Sequence, residues 1–96
     1  MKTYEIYQLP VEHDATFMGL NFVLENNIMP KMVDYREVFS GEIEESVDLD
    51  DIYRRFNIGR KPENYKGRSL SVSDVVKVNG ECFYCDEYGW ERVNLL

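Results

Sequence analysis

Long apolar runs are missing from this sequence. None approaches the ~18 residues that a membrane-spanning helix needs, and the stretch from Met1 to Tyr7 reads as a strand rather than a secretory leader. A soluble, cytoplasmic protein without a membrane partner is expected. Cysteine occurs only as Cys82 and Cys85, so no second pair exists to complete a four-cysteine zinc site, and reduced thiols suit the cytoplasm. Histidine occurs once, at His13 between Glu12 and Asp14, where it reads most simply as an exposed loop residue. Basic residues are the minority, 11 Lys and Arg against 18 Asp and Glu, for a net charge of −7. That balance argues against a nucleic-acid or anionic-membrane partner, because phosphate binding is driven by basic side chains and counterion release. Repeats, low-complexity tracts and linker composition are absent too, so residues 1–96 read as a single domain.

What is present is enough for a core. Hydrophobic residues make up 44% of the chain and aromatics 14%, which excludes wholesale disorder. A domain of this length buries roughly two-thirds of the surface its unfolded chain exposes.

The most decided stretch runs from Asp48 to Gly80. Leu49, Ile52, Tyr53 and Phe56 fall at i, i+3, i+4 and i+7, one stripe of an amphipathic helix, with Asp50, Asp51, Arg54 and Arg55 turned to water. Asp48 is suited to cap its N-terminus, and Asn57 and Gly59 to stop it. The pairs Asp50/Arg54 and Asp51/Arg55 have the better orientation at i, i+4, worth ~0.2–0.5 kcal/mol each. So short a helix is marginal alone and must bury its stripe on a sheet, here expected to be the C-terminal meander. That meander begins with Val75 to Val78, the type I′ dipeptide Asn79-Gly80, and Glu81 to Tyr84, which places Val76 opposite Phe83. Asp86 to Gly89 reads as a second turn and Trp90 to Leu95 as a third strand.

Upstream, Tyr4 to Leu9 alternates as a strand ended by Pro10, with Gln8 the least clean member of its apolar set. From Asp14 a helical pattern runs towards Asn26-Asn27 and Pro30, strongest over 19–27, and Met32 to Phe39 reads as a strand broken by Ser40-Gly41. The expected fold class is α+β: a small antiparallel or mixed sheet with a C-terminal β-meander and two short helices packed on one face.

Three constellations invite chemistry. Cys82-Phe83-Tyr84-Cys85 has CxxC spacing, but residues three apart on a strand point to opposite faces and cannot chelate one ion without a bulge. A redox CxxC opens a helix, so structural thiols are the simpler reading. Ser69, Ser71, Ser73, Asp74 and His13 suggest a Ser/His/Asp set, yet no sharp elbow or adjacent base accompanies them. Alternation instead sends Leu70 and Val72 inward and lines the hydroxyls on the other side. No catalytic residue, metal ligand or cofactor is expected. The third, Gly59 to Arg68, carries basic side chains, one aromatic and two glycines, as a binding loop would. With the end of the preceding helix it supplies the candidate partner-binding residues Arg54, Arg55, Arg60, Lys61, Tyr65, Lys66 and Arg68.

At Asp51-Ile-Tyr-Arg-Arg-Phe-Asn57, Asn64-Tyr-Lys-Gly-Arg-Ser-Leu-Ser-Val-Ser-Asp-Val-Val76 and Tyr88-Gly-Trp-Glu-Arg-Val93 the sequence resembles the YodL-like domain, over roughly residues 35–95. The segment from Phe17 to Pro30 looks shorter than the family's. The family commonly has His where this chain has Arg68. The resemblance implies a setting in Firmicutes and their mobile elements, alone or beside antirestriction-type modules, with no established enzymatic activity; an interaction with the actin-like cytoskeleton has been suggested within the family. The expected function is a non-enzymatic interaction or regulatory module binding a host or element-encoded protein through charged patches. One alternative is an acidic DNA mimic that inhibits a restriction or CRISPR-type effector, using the run Glu42, Glu44, Glu45, Asp48, Asp50 and Asp51. Another is a small metal-binding or hydrolytic domain.

Overall fold

A computed structural model of the chain describes residues 1–59 and 61–95. The described residues form five strands and two α-helices: β1 (Lys2–Gln8), α1 (Leu20–Glu25), β2 (Arg36–Ile43), α2 (Leu49–Asn57), β3 (Val75–Val78), β4 (Glu81–Asp86) and β5 (Gly89–Val93). All strand pairs are antiparallel, in the order β2-β1-β3-β4-β5. The Asn79-Gly80 turn forms as its residue types demand, both residues having positive φ, and sets Val76 against Phe83. The α+β class with its C-terminal meander therefore holds.

The placement of the helices does not follow the expectation of one shared face. Ile52 and Phe56 of α2 pack with Tyr4, Ile6, Val38, Ile43 and Val76 on one face of the sheet. Val23 of α1 packs with Leu9, Tyr35, Val75 and Tyr84 on the other. The reason lies in β3, where the adjacent Val75 and Val76 point to opposite sides and are both fully buried, so the centre of the sheet needs cover on each face. The stripe of α2 seats on the meander through Val76, Val78 and Trp90, the last edge-on to Tyr53 with ring centroids 6.4 Å apart, and shares that face with residues of β1 and β2.

The second strand also differs. Met32–Asp34 is a single 3₁₀ turn, closed by Asp34 accepting from the Lys31 N–H, and β2 runs straight through Ser40-Gly41 to Ile43. Gly41 lies under the rings of Phe39 and Tyr4, which explains a glycine inside a strand. The register slips between Ile6, opposite Phe39, and Tyr7, opposite Glu37. Val38 is the extra residue of that bulge, and as a result Val38 and Phe39 both join the α2-side core.

Candidate functional site

Between α2 and β3 the described residues from 58 to 74 form no ladder of their own. Their peptide groups are bonded instead by two side-chain carboxamides. Gln8, at the end of β1, accepts from the Arg68 N–H (2.9 Å) and donates to the Arg68 carbonyl (3.0 Å). Asn57, the last residue of α2, does the same to Leu70, accepting at 2.6 Å and donating at 2.8 Å. Each amide thus bonds one peptide as a neighbouring strand would. A third tie runs from the Lys66 N–H to the carbonyl of the bulged Val38, 3.1 Å. Gly67 passes so close over Gln8 and Val38 that a Cβ would lie 2.4 Å from the Gln8 Oε1.

Beneath the loop is a buried polar cluster. The Gln8 amide also donates to Asp74 Oδ2 (3.0 Å) and to the Tyr65 hydroxyl (3.2 Å), while the Ser71 N–H donates to the same Asp74 oxygen (2.9 Å). The Tyr65 hydroxyl donates in turn to the Arg68 carbonyl. Asp74 is fully buried, and desolvation pushes its carboxyl up to about 7 against the opposing Ser71 N–H, the Gln8 amide and the Arg68 charge. Burial likewise pushes the Tyr65 phenol up to about 12. Ser73 is fully buried at φ +86°, its Oγ accepting from the Phe17 N–H and its carbonyl from the Tyr35 hydroxyl. A non-glycine residue in that region is uncommon, and here these two bonds and a third, from the Ser73 N–H to the Cys85 carbonyl at 2.9 Å, fix it. The expected outward line of Ser69, Ser71 and Ser73 does not form, because the segment turns at Ser71 to Asp74 instead of extending: Ser69 is exposed and Ser73 buried.

The sequence-nominated residues divide into two groups. Arg54, Arg55, Lys61 and Lys66 are exposed. Arg54 pairs with Asp51 one turn back, a different partner from the one expected, because Asp50 accepts from the Trp90 indole at 3.2 Å. Arg55 lies by the Tyr4 hydroxyl, and Lys61 donates to Ser69 Oγ at 3.1 Å. Tyr65 and Arg68 point inward: the Tyr65 ring packs tilted by 50° against Phe56 at 4.9 Å between centroids, and Arg68 donates to the Leu9 carbonyl at 3.0 Å with its guanidinium 5.4 Å over the Phe17 ring. Arg60 lies outside the described residues. Gln8, Asn57 and Asp74 carry the arrangement, and none of them is among the partner-binding candidates; the signals were a glutamine at an inward position of a strand and, beside Ser73, an aspartate suited to tie backbone at the entry to β3, as its bond from the Ser71 N–H does.

Other chemistry finds little geometry. His13 accepts from the Ala15 N–H at Nδ1 and lies 3.7 Å from Asp34, so its partners are its own turn and the 3₁₀ turn at Asp34, not the serines. Cys82 faces the α1 side, and Cys85 lies on the other beside Trp90, its thiol pushed up to about 12 by burial. Among the described residues no three His, Cys, Asp or Glu side chains converge on a metal position, and no helix is long and apolar enough to cross a membrane.

Compared with known proteins, the chain matches the family model described as the YodL-like domain over residues 3–95. The match takes in β1 and α1 as well as the stretch from residue 35 onward that carries the sequence resemblance. No curated protein and no solved structure matches.

Proposed function

The chain belongs to the YodL-like domain family, and from that premise we propose that it is a regulatory interaction module of a bacterium or its mobile element. It works in the cytoplasm without catalysis, docking through its basic face on an acidic surface of a host or element-encoded protein. One observation carries the reading: the loop holding Lys61 and Lys66 is bonded through its main chain to Gln8, Asn57 and Val38. Its cationic side chains are therefore presented from a fixed frame, continuous with Arg54 and Arg55 in the last turn of α2. Preorganised display lowers the ordering cost of binding, and opposite charges speed encounter and fix register.

The acidic run supports this reading over mimicry of DNA. Asp48 caps α2, Asp51 bonds back to the Asp48 N–H and to Arg54, Asp50 accepts from Trp90, and Glu45 pairs with the N-terminal amine at 3.6 Å. These carboxylates lie at the surface, but Asp48, Asp50, Asp51 and Glu45 are each already engaged by a neighbour in the chain and so less free to meet a partner's cations.

The test is a double charge reversal, Lys61→Glu with Lys66→Glu, in the full chain. With an unchanged urea midpoint, the variant should lose about tenfold in affinity for the protein captured from the native host's lysate. Equal capture by both proteins would sink the proposal.

A further inference from the structure

A cleft of about 440 Å³ opens where β1 ends, between Leu9 to Glu12 on one side and Val33 to Arg36 on the other, with Arg68 in its wall. We propose that this cleft is an oxyanion site, taking a carboxylate or phosphate group carried on an apolar stem, with Arg68 and Arg36 as its cations.

Arg68 is built into place. One terminal nitrogen donates to the Leu9 carbonyl at 3.0 Å, the guanidinium lies over Phe17, and the two-point bond from Gln8 fixes its backbone. Its Nε is buried without a hydrogen-bond partner among the described residues. A buried N–H of a charged group is costly to leave unpaired, and the guanidinium fork matches the two oxygens of a carboxylate or phosphate. Arg36 lines the same cleft from β2, and its side chain makes no hydrogen bond or ion pair among the described residues.

The cleft's own acids leave those cations available. Asp34 is occupied in closing its turn, accepting from the Lys31 N–H at 2.8 Å with His13 at 3.7 Å, and Glu12 is exposed at the rim. In a chain of net charge −7, two arginines on one concavity run against the overall sign; the buried Asp74 carboxyl feels the Arg68 charge, but neither arginine forms an ion pair among the described residues. The stem is supplied for by Leu9 and Pro10 in the wall and by Val11 and Val33 at the lip, 64% and 87% exposed. Neither Arg36 nor the cleft belongs to the basic display of α2 and the loop, so the site stands or falls independently of the docking function.

The experiment is an NMR titration of the isotope-labelled full chain with inorganic phosphate and, separately, with isobutyrate, following the Leu9, Arg36 and Arg68 amides and the arginine Nε–H signals. Saturable shifts confined to this set are expected. Arg36→Gln, an exposed substitution that leaves the fold intact, should weaken binding about tenfold, and Arg68→Lys likewise, as loss of a charge-assisted fork implies; Arg92→Gln should leave it unchanged. Saturation by isobutyrate alone assigns a carboxylate with an apolar stem, saturation by phosphate alone a phosphate group. Shifts that never saturate, or that persist unaltered in Arg36→Gln, would overturn the site.

Discussion

The two faces of the sheet are covered differently. On the α2 side the cover is a nine-residue helix closed by a capping box, and its Phe56 packs against Phe39, Tyr65 and Tyr4 at centroid distances of 5.2, 4.9 and 6.4 Å. On the α1 side the helix has six residues, no side-chain cap and one buried member, Val23, with Phe22 and Leu24 left largely in water. That side is tied down by polar bonds to irregular backbone. The Tyr84 hydroxyl donates to the Met18 carbonyl, the Tyr35 hydroxyl to the Ser73 carbonyl, and Asp86 accepts from the Leu20 N–H. Apolar area holds both faces, and on the α1 side, where the helix itself buries little, directional bonds from long side chains add to the cluster of Leu9, Ala15, Val23, Tyr35, Val75 and Tyr84. The helix-borne part is revealed by periodicity; the directional bonds need coordinates.

The largest test of that contrast is Phe56→Ala, which should remove about 3–5 kcal/mol in urea denaturation because a fully buried ring is lost from a packed aromatic cluster. Next comes pH. Asp74 has a folded pKa of about 7 against an ordinary value of 3.8, so between those values the folded state holds a proton that the unfolded state has released. Stability should therefore fall as pH rises from about 4 to 7 and level off above, by a few kcal/mol, and Asp74→Asn should flatten that slope. On the α1 side, Tyr35→Phe should cost about 1 kcal/mol by losing one buried hydrogen bond while leaving the α2-side aromatics undisturbed in near-UV circular dichroism. Smallest of all, Phe22→Ser should change the urea midpoint by less than about 0.5 kcal/mol equivalent. A large loss there would mean that α1 itself depends on apolar burial after all.

The same contrast explains what the sequence made legible. Helix α2 was readable because Leu49, Ile52 and Phe56 keep a 3.6-residue period and Asp48 is a strong cap, and the β3–β4 hairpin because Asn79-Gly80 admits one turn type. Two adjacent valines in β3 could have indicated cover on both faces, but a continuous apolar pair is also what a half-buried hairpin start looks like. The bulge at Val38 was hidden, since it depends on how β1 and β2 slip, and it carried the strand past Ser40-Gly41. In the site, the basic loop was visible in composition, whereas its clamps were not. Gln8 and Asn57 lie 60 and 13 residues from the peptides they bond, and nothing local to a glutamine or an asparagine announces a partner that distant.

Those two clamps grip main chain, not side chain, and this makes the loop a mount whose ornaments are exchangeable. Residue 66 can be traded for another without loosening a bond that holds the segment down, and residues 61 and 69 at the loss of their one mutual side-chain bond, while Gly67, squeezed over the Gln8 amide, cannot acquire even a methyl group. A domain arranged in this way can be retargeted to a new partner by a handful of surface exchanges, leaving its frame untouched.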